Sequence, residues 1–189
     1  MISIGYQGRP NTYNETAAKK FAKHKGFDLN ECSFIPLSQA EAVIKNLKAN
    51  RIDFGLIQTY NSLSNSFETI QQCIDTSTIE LAKVITIPIH NHIFVKDNIN
   101  KEKITSVYSD NQTLKETHSV IKNILPDVQM VSEVDSYIAA RKLKLGEVPD
   151  TYAVICRKST GEHFGLTLLY ENEDNNISKY SVFKKIPIE

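Results

Sequence analysis

The run from Glu80 to Val95 restricts the fold more than any other stretch of this chain. Leu81, Val84, Ile85, Ile87 and Ile89 give an apolar run with alternation, which leads through His90 and His92 into a new strand at Ile93, Phe94 and Val95. Alternation marks extended chain, and its place between separate strand-and-helix series marks an outward crossing from one lobe to another. Beyond it, the sequence reads as strand (Ser106 to Ser109), helix (Asn111 to Leu125), strand (Val128 to Val131), helix (Ser136 to Leu145) and strand (Tyr152 to Cys156). The return is expected near Gly161 to Leu166. A loop follows from Glu171 to Asn176, and an apolar run from Tyr180 to Phe183 closes the first lobe. Strands that alternate with helices specify an α/β architecture. The expected lobes are residues 1–84 with 165–189, and residues 85–164, with a ligand cleft between them and no internal repeat.

Polar groups gather where strands end. Ile2 to Gln7 is β-prone, stops at a Gly/Pro/Asn turn and passes into a helix with Asn11 or Thr12 as N-cap and apolar positions at Ala17, Ala18, Phe21 and Ala22. The free N–H groups of such a helix start suit a carboxylate or phosphate, and a plainly capped helix is the equal alternative. Phe54 to Ile57 reads as a short buried strand followed by an Asn- and Ser-rich stretch, Gln58 to Ser66, and by a helical pattern at Phe67, Ile70 and Ile74. Asn176 to Tyr180 opens the last apolar run with a hydroxyl, an ammonium and a phenol in consecutive residues, Ser178, Lys179 and Tyr180. Such a cluster can aim donors at an anion. By itself it is also ordinary surface.

Composition excludes whole classes of partner. With 189 residues, 41% of them apolar, the chain can bury a core. Its 22 basic and 22 acidic residues leave no net field to attract nucleic acid or an anionic membrane, so an anion must be held by local geometry. No apolar stretch approaches the roughly 20 residues of a membrane helix. Cys32, Cys73 and Cys156 are odd in number and far apart, and no apolar leader precedes them, so a reducing, cytoplasmic setting is expected. Cys156 beside Arg157 reads as a buried thiol rather than a reactive one. His90 and His92 share one face of a strand without a third ligand, so no metal and no cofactor is expected.

Taken in order, these segments resemble the catalytic domain of prephenate dehydratases. The family's Tyr-x-Gly-Pro-x-Gly-Thr-aromatic-Ser-x-x-Ala-Ala runs here from Tyr6 to Ala18, and its Gly-Val-x-Pro-Ile-Glu-Asn-Ser from Gly55 to Ser62, with Gln58, Thr59 and Tyr60 in place of Pro-Ile-Glu. Ser-His-x-Gln-x-Leu matches Ser109 to Leu114, Ser-Thr-Ala-x-Ala-Ala matches Asp135 to Ala140, and Ala-Ala-Ile-x-x matches Ala153 to Arg157. The closing Tyr-Gly-Leu and Asn-x-Thr-Arg-Phe match Phe164 to Leu166 and Asn176 to Tyr180. Order and spacing hold along the chain while every motif carries a substitution.

The resemblance implies two Rossmann-like lobes of periplasmic-binding-protein type. It also implies a lyase of aromatic amino acid (phenylalanine) biosynthesis, acting on prephenate or a related cyclohexadienyl dicarboxylate by dehydration or decarboxylation, with dehydratase activity expected to be weak or absent because the arginine of the closing motif is lost. Related enzymes decarboxylate prephenate without aromatising it. On residue-by-residue transfer, Ser178 is the hydroxyl donor and Lys179 replaces the carboxylate-binding arginine, exchanging a planar fork for a point charge. Thr12, Asn61, Ser62 and Ser136 supply further hydrogen bonds. The implied partner is a small dicarboxylate, with a homodimer as the assembly to test. No C-terminal regulatory amino-acid-binding domain is expected after residue 189. The alternative on the same fold is a non-catalytic small-molecule-binding or regulatory protein.

Overall fold

In the computed structural model, which describes residues 1–63, 78–97, 99–173 and 176–187, the opening β-prone run forms β1 (Ile2–Gln7) and the amphipathic pattern after it α1 (Tyr13–His24). Next come β2 (Cys32–Leu37), α2 (Ala40–Lys48), β3 (Phe54–Asn61) and β4 (Ile79–Pro88). The middle of the chain forms β5 (Asn91–Val95), β6 (Ser106–Asp110), α3 (Asn111–Glu116), α4 (His118–Ile124), β7 (Gln129–Glu133), α5 (Ser136–Leu145), β8 (Tyr152–Arg157), α6 (Lys158–His163) and β9 (Thr167–Tyr170). β10 (Ile177–Lys185) ends the series. The helical pattern at Phe67, Ile70 and Ile74 lies outside the described residues, as does Cys73.

The chain divides into two units, Met1–Pro88 with Asn176–Glu189, and Ile89–Asn175. Each holds one five-stranded sheet, in the orders β2-β1-β3-β10-β4 and β7-β6-β8-β5-β9. β1 runs parallel to β2 and β3, while β10 lies antiparallel between β3 and β4. The second sheet repeats this plan, with β6 parallel to β7 and β8, and β5 antiparallel to β8 and β9. In both sheets the antiparallel fourth strand begins just beyond a point where the chain passes between units.

Those points differ from the expected ones. β4 continues to Pro88 because it pairs with β10 as far as Ile177 opposite Pro88. The return comes after Tyr170 rather than near Gly161 to Leu166, because β9 adds to the edge of the second sheet through Leu168 opposite Phe94. Residues 165–175 therefore belong with the middle of the chain. The helix expected from Asn111 to Leu125 breaks at Thr117, whose hydroxyl donates to the Thr113 carbonyl at 2.6 Å while its backbone leaves the helical region.

Helices cover both sheets. α2 buries Val43, Ile44 and Leu47 against Ile52, Ile57 and Phe183. It comes this close because of Gly55 in β3, where a Cβ would lie 2.8 Å from Val43; Gly5, opposite it in β1, makes room for Ile52. α1 buries Ala17, Ala18, Phe21 and Ala22, with Phe21 edge-on to Phe54 at 5.0 Å between ring centres. In the second unit Gly161 of α6 lets the ring of Phe94 approach to 2.4 Å from where a Cβ would stand. Burial of each such large apolar side chain contributes about 1.5–3 kcal/mol.

Candidate functional site

The polar cluster lies where β3 and β10 run side by side. Asn61, the last residue of β3, faces Ser178, the second of β10, and Tyr60 faces Lys179. Gln58 to Asn61 were expected in a loop; they extend β3 instead, because β10 supplies ladder partners that the local sequence does not reveal.

The ladder is irregular here. Lys179 pairs with Tyr60 and Tyr180 with Gln58, so Thr59 is passed over as the extra residue of a β-bulge. In a regular strand, residues three apart point to opposite faces. An inserted residue re-aims the side chains beyond it. Gln58 and Asn61 therefore reach the same atom: Gln58 Nε2 donates to Ser178 Oγ at 2.9 Å and Asn61 Nδ2 donates to it at 3.0 Å. The orientation of the Asn61 amide is fixed by its other end, where Oδ1 accepts from the Leu63 N–H at 2.8 Å. Thr59 turns its hydroxyl to that of Ser181 at 2.9 Å.

Ser178 is 0% exposed and Asn61 2%. A hydroxyl carries two acceptor lone pairs and one proton, and here both lone pairs are taken by amide donors. The Ser178 proton meets no acceptor among the described residues. In the sequence Gln58 is only a departure from the family motif; its link to Ser178 depends on the bulge.

Ser62 and Asn176 close the end of this ladder. The Ser62 hydroxyl donates to Asn176 Oδ1 at 3.0 Å and accepts from the Ile177 N–H at 3.0 Å. Lys179 is exposed, with its ammonium 5.0 Å from the centre of the Tyr60 ring. Such a contact holds the cation with about 0.5–1 kcal/mol at an exposed site.

Thr12 follows β1 on the carboxyl-end edge of the same sheet, since β1 and β3 are parallel. It is the N-cap residue of α1, but its hydroxyl donates to the Arg9 carbonyl at 2.8 Å and accepts no N–H of the helix. Glu15 supplies the negative charge at this helix start, accepting from the Asn11 N–H at 2.5 Å and pairing with Lys19 at 2.6 Å. The turn therefore has its own anion, which favours the capped-helix reading over an anion-binding one. Burial, aided by Glu15, pushes the Tyr6 phenol up to about 12. The amide oxygens of Gln7 and Asn14 are buried here without hydrogen-bond partners among the described residues.

Asn61, Ser62, Ser178 and Lys179 are thus brought together within the first unit, with Thr12 on the same sheet edge. Ser136 stands in the second unit, half-buried at the first turn of α5, where Asp135 caps the helix by accepting from the Ile138 N–H at 2.7 Å.

Other titratable groups of the second unit have structural partners. Glu133 accepts from Lys142 at 2.5 Å and from the Tyr108 hydroxyl; with the Val134 N–H, these hold its carboxyl at about 2. Burial pushes the Cys156 thiol up to about 12. His92 accepts the Asn172 N–H on Nδ1 at 3.1 Å, and burial lowers its pKa. No group of three or more His, Cys, Asp or Glu side chains converges among the described residues, and no described helix is long and apolar enough to cross a membrane.

The fold has known counterparts. A prephenate dehydratase of Arthrobacter aurescens, solved with L-Phe, superposes with a TM-score of 0.79 at 14% identity, over 99% of this chain and 61% of that one. A quorum-quenching acylase gives 0.72 at 16%, over 99% and 65%. The periplasmic VFT2 domain of BvgS from Bordetella pertussis gives 0.52 at 10%, over 97% and 80%. These likenesses place the chain in the α/β, periplasmic-binding-protein-like class expected from its sequence.

Among sequences, arogenate dehydratase 1 of Petunia hybrida is 24% identical over 99% of this chain and 43% of its own length. The bifunctional chorismate mutase/prephenate dehydratase of Neisseria gonorrhoeae is 23% identical over 96% and 49%. The chain thus spans less than half the length of these relatives. The prephenate dehydratase family model matches residues 4–187. That match covers residues of both units, and the chain belongs to the prephenate dehydratase family.

Proposed function

We propose that this chain is a lyase of the dehydratase type, acting on prephenate or on its amino counterpart arogenate, the substrate class in the names of its relatives. The observation that carries the reading is the Ser178 hydroxyl, whose acceptor side is filled by Gln58 and Asn61. What remains is a proton donor in a buried setting, where hydrogen bonds to developing charge are stronger than in water.

In the reaction, the bond between the ring and its hydroxyl breaks and that oxygen takes a proton from Ser178 to leave as water. The bond to the ring carboxylate breaks as carbon dioxide departs, and its electron pair completes the aromatic ring. A proton taken up from solvent restores Ser178, so the net reaction consumes one proton. Lys179 holds a substrate carboxylate, and Asn61 and Ser62 are the further polar groups of this reading within the first unit. The product class is an aromatic keto acid or amino acid, which fits phenylalanine biosynthesis in the cytoplasm.

The test is Ser178→Ala assayed with prephenate and with arogenate. General-acid assistance of this kind accounts for about 10²- to 10⁴-fold in rate. The reading requires a loss of that order in kcat, with substrate affinity by calorimetry little changed. A variant as active as the unmodified protein would remove Ser178 from the chemistry.

A further inference from the structure

We infer that Gln58 is a positioning residue: with Asn61, it fills both lone pairs of Ser178 Oγ, so that the hydroxyl can only donate, and it steadies the oxygen when its proton leaves. The inference rests on the dehydratase-type reading above and deepens it.

A free serine hydroxyl serves equally as donor and acceptor and turns to suit its surroundings. Ser178 has no such freedom. Its oxygen receives an N–H from Gln58 at 2.9 Å and another from Asn61 at 3.0 Å, and the second amide is itself locked by the Leu63 N–H. A substrate group meeting Ser178 therefore finds a proton, which suits an oxygen that departs as water.

The same N–H groups favour the charged form of the oxygen, as hydrogen bonds to an anion do for any acid. A lone amide would leave one lone pair open and the hydroxyl able to rotate. The β-bulge at Thr59 supplies the second amide, since without it Gln58 and Asn61 would project to opposite faces. Bulges are over-represented beside active sites because they re-aim a side chain.

The experiment compares Gln58→Met, Gln58→Glu, Ser178→Ala and the double variant Gln58→Met/Ser178→Ala on prephenate and arogenate. Gln58→Met keeps length and loses the donor. We expect kcat to fall by about 10²-fold, as on removal of one donor to a developing oxyanion, with KM near that of the unmodified protein. In the Ser178→Ala background the same change costs no further rate, because Gln58 acts through Ser178.

Gln58→Glu gives the pH signature. Its carboxylate accepts the Ser178 proton, whereas its protonated form can donate, so kcat falls as pH rises through the ionisation of the introduced carboxyl. The unmodified protein lacks that limb. Full activity in Gln58→Met, or losses that multiply in the double variant, would overturn the inference.

If the unmodified protein turns over neither compound, the functional reading fails, and the same cycle is read in urea unfolding. Non-additive costs for Gln58→Met and Ser178→Ala would then uphold the clamp on the hydroxyl. Additive costs would refute it.

Discussion

Replacing Asn61 by leucine tests the polar ladder without reference to any substrate. Leucine keeps the branching and heavy-atom count of asparagine but removes the donor to Ser178 Oγ at 3.0 Å and the acceptor of the Leu63 N–H at 2.8 Å. A neutral hydrogen bond contributes about 0.5–1.5 kcal/mol net, and a buried group left unpaired costs about 1–3 kcal/mol. Asn61 is 2% exposed, so the lost amide contacts cannot be replaced by water where it stands. Leu63 is 50% exposed, so its N–H can turn to solvent and that half of the loss is small. Ser178 keeps the donor from Gln58. The expected cost is therefore about 1–2 kcal/mol. With a urea m-value of about 1–3 kcal/mol/M, the unfolding midpoint should fall by about 0.3–2 M at unchanged m. Equilibrium unfolding followed by circular dichroism measures this directly. An unchanged midpoint would show that the Asn61 bonds hold nothing together and would refute the derivation of the site from them.

Other perturbations follow from single contacts. Because Lys142 and Tyr108 hold the Glu133 carboxyl at about 2, below its unfolded value, the stabilisation is complete above the ordinary carboxylate range and is lost as pH falls from that range toward 2. Lys142→Met should therefore raise the pH of acid unfolding, and an unchanged acid transition would argue against the contact. Gly161→Ala places a Cβ 2.4 Å from the Phe94 ring and should destabilise by about 1–3 kcal/mol in denaturant, whereas a neutral result would mean that α6 moves away freely. Lys179→Ala should weaken prephenate binding in calorimetry more than Ser178→Ala does, because loss of a charge partner costs more than loss of a neutral donor. Lys179→Arg restores a planar fork and should change rate or product ratio as well as affinity.

Much of the strand-and-helix order was legible because it follows from local pattern. Ile2–Gln7 leading into Tyr13–His24, Ser136–Leu145 after an Asp cap, and Tyr152–Arg157 all answer to periodicity and capping. The return crossing was misplaced because Gly161 and Gly165 look like a loop in sequence. In three dimensions Gly161 makes room for Phe94, and β9 is held by an edge that only the folded second sheet provides. The polar cluster between β3 and β10 was legible in Asn61, Ser62, Ser178 and Lys179, whose residue types mark the ends of apolar runs. Gln58 was not, since its approach to Ser178 depends on a ladder 120 residues apart in sequence and on the bulge at Thr59. Thr12 shows the converse: a residue type suited to a binding turn, with its hydroxyl spent on Arg9 and Glu15 supplying the local anion.

The most direct test of the central claim is to incubate the purified protein separately with prephenate and arogenate and to follow substrate and product by mass spectrometry. The account predicts loss of both water and carbon dioxide, giving phenylpyruvate from prephenate or phenylalanine from arogenate, at a rate that collapses in Ser178→Ala. Decarboxylated product that keeps its ring hydroxyl, or substrates that bind and emerge unchanged, would contradict it.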